Sequence, residues 1–471
     1  MRKPPPSNHP PHPPILTPHP DEKNIQAILA TQFKDFDIGP KRRNNFMPLL
    51  GNGIFTQDGA AWEHSRTMMR PQFARDQVSD LDLEEQHVQN MMQAIVPSAS
   101  GWTDTLDLQV LFFRLTLDSA TEFLFGESVD SQLVALPGYV RQGSPRDPSQ
   151  DEKVFAAAFD RGQSTLATRS RLQGMYMLYN PSDFSQACRD CHAFIDHFVR
   201  LALSKPPSSE KPTSAAGKEK YVFLDALAAE TRDPIELRSQ LLNILLAGRD
   251  TTASLIGWVF FSLARDPARY AKLRSIILEE FGTFERPRDI TFARLKGSTY
   301  LQHVNSEALR LYPVVPVNSR TANKDTTLPR GGGPDGMSPV FVPKGRACDY
   351  SVFVMHRRKD VWGEDADQFV PERWEKRRVG WDFLPVSLFT HILCYLAFIP
   401  LTPWFLFNPL SLHTSFTPFL PLFLFTSPCP PTLTTPIFQT PQPPPSKPTL
   451  TNSLAWGSPL SSVYKPLNLF L

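Results

Sequence analysis

The longest helical pattern in the chain runs from Asp233 to Asp266. Asp233-Pro-Ile-Glu236 is a start signal, with aspartate as N-cap, proline at the first helical position and glutamate at N3. Pro267 ends the run. The spacing predicts a helix of roughly 33 residues, about 50 Å long, enough to cross an entire domain. Its pattern breaks once. The apolar stretch Leu241 to Ala247 gives way to Gly248, Asp250, Thr251 and Thr252 before apolar residues resume at Leu255 to Phe261. A glycine and polar side chains inside such a helix cost backbone order and desolvation. A local rule broken at one point, with good patterning on both sides, marks a working site.

The remaining pattern is also mostly helical. A helix is expected from Pro267 to Phe281, closed by Gly282, and another from Thr299 to Leu311, stopped by Pro313. Phe184 to Val199 reads as amphipathic, and a short helix carrying Trp62 and Arg66 follows the turn Gly51-Asn-Gly53. Strand-like pieces are short, at Val340–Val342 and from Asp349 to Phe353, with Gly331-Gly-Gly-Pro334 as a turn. The fold class is mainly α with a minor β part.

Composition divides the chain into three segments. Residues 1–20 hold nine prolines and three histidines and read as an extended lead-in. Residues 21–386 look globular. Residues 387–471 carry only Lys447 and Lys465 as charged side chains, among many Phe, Leu, Pro, Ser and Thr, which a folded soluble domain does not tolerate on its surface. A membrane segment over Leu388 to Phe407 is disfavoured by His391, Pro400 and Pro403. The net charge of +2 gives no reason to expect nucleic acid as a partner. Five scattered cysteines make no disulfide scaffold and suit a reducing compartment. No apolar run follows Met1, so neither a leader nor an N-terminal anchor is expected.

Several residues could carry chemistry. Asp250 and Thr251 form an acid–alcohol pair suited to proton relay; Gly248, beside Ala247, would let a ligand approach the backbone. The alternative is a packing notch with threonine hydroxyls bonded to the preceding turn. Glu307 and Arg310 lie three apart on one helix and can pair. Arg373, in Phe369-Val-Pro-Glu-Arg-Trp374, is a second arginine for the same carboxylate. Trp62 and Arg66 suit an anionic oxygen ligand, or else form a surface stack. Arg320 is ambiguous alone. Cys188-Arg-Asp-Cys191 has no second CxxC and reads as a pair of ordinary half-buried cysteines, so no metal ligand is assigned.

In this order and spacing these pieces resemble the cytochrome P-450 superfamily of haem-thiolate monooxygenases, over about Asp21 to Pro385. Ala247-Gly-Arg-Asp-Thr-Thr252 looks like the oxygen-activation groove, and Glu307, Arg310 and Arg373 like the family's ion-pair triad. Trp62, Arg66 and Arg320 fall where the family contacts the haem propionates. Gly51 to Gln77 and Leu241 to Phe261 are most like fungal hydroxylases of alkanes and fatty acids. The resemblance implies haem b as cofactor and insertion of one oxygen atom from O2 into a C–H bond. It also implies electrons from an NADPH-cytochrome P-450 reductase, a long-chain aliphatic substrate, a monomer, and a place at the endoplasmic reticulum membrane. Asp250 and Thr251 would then steer protons.

One part of the family pattern is missing. The glycine-rich loop that presents the axial cysteine is expected soon after Trp381-Asp-Phe-Leu-Pro385, where Val386-Ser-Leu-Phe-Thr-His-Ile-Leu-Cys394 stands instead. Cys394 sits near the expected position without glycine or arginine around it and is read as a coincidence. The sequence from 387 onward is expected to translate an unspliced intron or a shifted frame. The fold is therefore expected to be incomplete and the chain inactive as written. A haemless remnant and a membrane-associated binding protein remain as alternatives.

Overall fold

The patterned run after Asp233 folds as one 31-residue helix, Pro234–Ala264, about 46 Å long. The Asp233 carboxylate caps it by accepting from the Ile235 N–H at 2.9 Å. We describe a computed structural model covering residues 21–385 other than 74–80, 100, 102, 140–150, 206–220 and 284–285. The lead-in and the segment from 387 onward, including Cys394, lie outside the described residues. The central helix packs against Leu108–Phe125, Phe184–Ser204 and Thr299–Leu311, and its leucines at 237, 241, 242, 245 and 246 are buried in the main core. By length and composition it could cross a membrane, but its place here is the middle of that core.

It ends two residues earlier than the pattern suggests. Asp266 does not continue it but caps the next helix, Pro267–Phe281, accepting from the Arg269 N–H at 3.0 Å. Gly282 closes that helix at φ +81, a conformation that glycine adopts without strain. Thr299–Leu311 forms as expected.

The turn Gly51-Asn-Gly53 is pressed onto the central helix. Asn243 donates to the Leu50 and Ser239 carbonyls at 3.1 and 2.8 Å and accepts from the Phe55 N–H at 3.0 Å. A β-carbon on Gly53 would lie 2.3 Å from the Asn243 side chain, so glycine is required by close approach. The helix Gly59–Met69 follows and is pinned in turn, its Ser65 hydroxyl accepting from Gln240 at 2.7 Å.

The β part is larger than the sequence suggests. Phe36–Asp37, Val317–Ala322 and Ala347–Ser351 form an antiparallel sheet in that spatial order. Thr326–Gly332 and Ser338–Val342 form a hairpin around the glycine-rich turn. The expected strand from Asp349 to Phe353 is displaced toward the N-terminus, because Ser351 caps a short helix, Val352–Met355. Ile25, Ile28, Phe36, Leu328, Val342, Tyr350 and Met355 give this region its own small core. Cys188 and Cys191 are buried rather than half-buried, on the inward stripe of Phe184–Ser204. Burial raises the Cys188 thiol to about 11 and Cys191 well above the usual thiol range, which leaves both neutral.

Candidate active site

The broken stretch of the central helix has faces with different surroundings. Ile244, Ala247 and Gly248 are only partly covered, although the residues around them are buried. Positions i, i+3, i+4 and i+7 share a face, so Thr251, itself buried, continues this strip. A β-carbon added at Gly248 would meet only Ala120, at an ordinary 3.9 Å. The Thr251 hydroxyl donates to the Ala247 carbonyl at 2.7 Å, so at rest it serves its own helix.

Asp250 lies about 100° further round the helix and is completely buried. Neither carboxylate oxygen has a hydrogen-bond partner among the described residues. Burial raises its carboxyl to about 7, against the opposing effect of Arg249, whose guanidinium lies 3.7 Å away. The amide of Gln163, buried on the helix Glu152–Arg171, is its other polar neighbour. The acid and the alcohol therefore occupy different faces.

Arg320 lies on the strand Val317–Ala322 and donates to Asn318 Oδ1 at 3.0 Å. Arg42, from the helix Pro40–Leu50, donates to the same oxygen at 3.2 Å. Two guanidiniums thus share one neutral acceptor, and neither pairs with a carboxylate among the described residues. Burial and then the Arg320 charge lower Arg42 to about 10, and its Nε is buried without a partner. Tyr350 sits opposite Asn318 across the sheet, close enough for both arginines to act on its hydroxyl. This uncompensated positive cradle fits an acid-bearing ligand edge.

Trp62 and Arg66 stack on each other, with the guanidinium carbon 5.3 Å from the ring centroid, and Phe33 packs on the indole at 5.3 Å. Arg66 is exposed, and no contact among the described residues joins this pair to Arg320.

Glu307, Arg310 and Arg373 meet in a fully formed cluster. Arg310 donates to both Glu307 oxygens, at 2.9 and 2.8 Å, and Arg373 Nε to one of them at 3.0 Å. The Trp374 indole and the Val370 N–H each add a bond at 2.9 Å. Arg310 spends its remaining donors on the carbonyls of His356, Ala366 and Gln368. His356 returns the contact, its Nδ1 lying 3.2 Å from the Arg310 carbonyl while Nε2 accepts from the Leu384 N–H at 3.0 Å.

Sequence reasoning singled out neither Arg42, Gln163, Asp160 nor His356. Asp160 and Gln163 carry no spacing signal, because they reach the site from a separate helix. Arg42 sits in Lys41-Arg-Arg43 and reads as ordinary surface charge. Among the described residues no group of three or more His, Cys, Asp or Glu is placed to hold a metal ion.

With this geometry in place, comparison with known proteins is informative. The family model described as Cytochrome P450 matches residues 21–398, a range that includes Cys394. Cytochrome P450 monooxygenase g430 of Fusarium sp is 62% identical over 370 residues, covering 78% of this chain and 64% of that protein. Cytochrome P450 monooxygenase alt2 of Alternaria solani is 46% identical, covering 78% and 69%. Cytochrome P450 52A5 of Candida maltosa is 49% identical, covering 78% and 68%. The chain thus spans about two thirds of the length of these curated relatives.

Proposed function

The chain belongs to the cytochrome P450 family, and from that premise we propose that it derives from a haem-dependent monooxygenase acting on long-chain aliphatic substrates. The observation that carries the proposal is the partly covered strip of Ile244, Ala247 and Gly248, continued by the buried Thr251, in the otherwise buried middle of the central helix. It supplies an apolar wall, a site without a side chain, and a hydroxyl for polar contact. The relatives named monooxygenases, and the resemblance to fungal alkane and fatty-acid hydroxylases, support the reaction class and the substrate class.

Haem b fits the residues present at its acidic edge. Arg42 and Arg320 would hold the carboxylates, with Tyr350 adding a hydroxyl; Trp62 and Arg66 are proposed as a further contact. When bound, the haem supplies dioxygen activation, the chemistry that no side chain provides. The described residues would then exclude water with the apolar wall and hold a proton on Asp250. A monooxygenation needs two protons and two electrons for each O2, giving one hydroxylated product and one water. We assign the proton-bearing role to Asp250 and Thr251, and the electron supply to an NADPH-dependent reductase at the endoplasmic reticulum membrane. Glu307, Arg310 and Arg373 are structural in this reading.

The test is haem uptake by the purified full chain, followed by the carbon monoxide difference spectrum. The long-wavelength band of a thiolate-ligated complex supports the proposal and assigns an axial cysteine. Haem uptake without that band leaves a haem protein lacking thiolate ligation and overturns the monooxygenase reading for this chain. Replacing both Arg42 and Arg320 by alanine should weaken haem retention by about tenfold or more, since each charged hydrogen bond contributes about 1.5–3 kcal/mol.

A further inference from the structure

Arg249 stands between two carboxylates. Its Nη1 lies 2.6 Å from Asp160 Oδ1 and 3.7 Å from Asp250 Oδ1. Asp160 belongs to the helix Glu152–Arg171, and its side chain is 54% exposed, whereas Asp250 is fully buried. The Arg249 guanidinium is held over the rings of Phe113 and Phe159, at 5.2 and 5.7 Å from their centroids. Cys191, a neutral thiol on Phe184–Ser204, lies near the same guanidinium, and Gln163 adds an amide on the Asp250 side. Among the described residues, Arg249, Asp160 and Gln163 act on the Asp250 carboxyl, and Cys191 acts on Arg249. Only one of them is a cation, and its short contact is made elsewhere.

We propose that Asp160 is a positioning residue that holds Arg249 away from Asp250 and thereby keeps the Asp250 carboxyl able to carry a proton. A guanidinium engaged with a water-exposed carboxylate leaves the buried one underpaired. Burial then favours its neutral form, which agrees with the upward shift of this carboxyl. If Asp160 loses its charge, the nearest carboxylate for Arg249 is Asp250, only a small side-chain movement away. Asp250 would then ionise and hold its proton no longer. The catalytic meaning of this latch rests on the proposed monooxygenase reading, but the latch itself does not require haem.

That independence makes it testable on the full chain by the pH dependence of chemical unfolding. A carboxyl that binds its proton more tightly when folded makes the wild type lose stability as pH rises from about 4 to about 7. Asp250→Asn should abolish this component. Asp160→Asn should move its midpoint down by about one pH unit or more, a tenfold change in proton affinity. In an Arg249→Gln background Asp160→Asn should produce no further shift. The proposal is overturned if Asp160→Asn keeps the wild-type dependence while Asp250→Asn loses it. It is also overturned if the shift survives undiminished in the Arg249→Gln background, because Asp160 then acts as a distant charge alone. Should Arg249→Gln not fold, the infrared carbonyl stretch of a protonated carboxyl at pH 6 decides the matter. Burial also raises Asp118, to about 6, so a residual band is expected throughout. The band should lose intensity equally in Asp250→Asn and Asp160→Asn relative to the wild type, and an undiminished band in Asp160→Asn sinks the idea. Failure of haem uptake would count against the function proposed above and leave these outcomes untouched.

Discussion

Glu307, fully buried, accepts hydrogen bonds from Arg310, Arg373, Trp374 and the Val370 amide. Glu307→Gln would leave two guanidiniums facing a neutral amide, one of them fully buried, and should cost about 3–5 kcal/mol of unfolding free energy in a denaturant titration. His356 makes a separate prediction. Burial first of all, then the Arg310 charge, lowers its pKa to about 3, whereas the unfolded value is 6.5. The unfolded chain therefore binds the extra proton between those values. Stability contributed by neutral His356 is complete above about pH 6.5 and declines as pH falls toward 3, by up to about 1.4 kcal/mol per unit. Asp250 titrates with the opposite sign, so the His356 contribution is read as the difference between wild type and His356→Gln across that range. Glu307 and Arg310 were legible as a pair because they lie three apart on one helix. His356 was not, since its importance comes from accepting an amide that lies 28 residues away.

At the scale of the elements, two glycines behave oppositely. Gly248 sits mid-helix with room for a β-carbon, so Gly248→Ala should raise the stability of the haem-free chain by about 0.5–1 kcal/mol through backbone entropy. Gly53 sits against Asn243, so Gly53→Ala must push that side chain out of three hydrogen bonds and should destabilise by about 1–3 kcal/mol. Thermal unfolding of the two variants beside the wild type checks both signs. The long helices were legible because caps and prolines mark them locally, as at Asp233 and Pro267. The strands were less so. Val317–Ala322 contains Asn318, Ser319 and Arg320, which give no apolar alternation; its pairing with Ala347–Ser351 and Phe36–Asp37 is set by tertiary contact.

For the whole molecule, the order of motifs along the chain pointed to the family, whereas the division of labour within the site came from packing. Asp250 and Thr251 are adjacent in sequence, yet the helix turns them toward different neighbours, and only the structure shows Arg249 engaged by Asp160. The small sheet carries a further consequence. Its first strand pairs Phe36 with Ala322, and Asn24 bonds to the Arg330 carbonyl across 306 positions. Contacts so distant along the chain close late, because their loop entropy is offset only once the intervening helices have condensed. In a refolding experiment with pulsed hydrogen exchange, amides of Pro234–Ala264 should become protected well before those of Val317–Ala322. Arg42 and Arg320 would come together at that late stage, and the positive cradle would be completed on a scaffold whose interior had already formed.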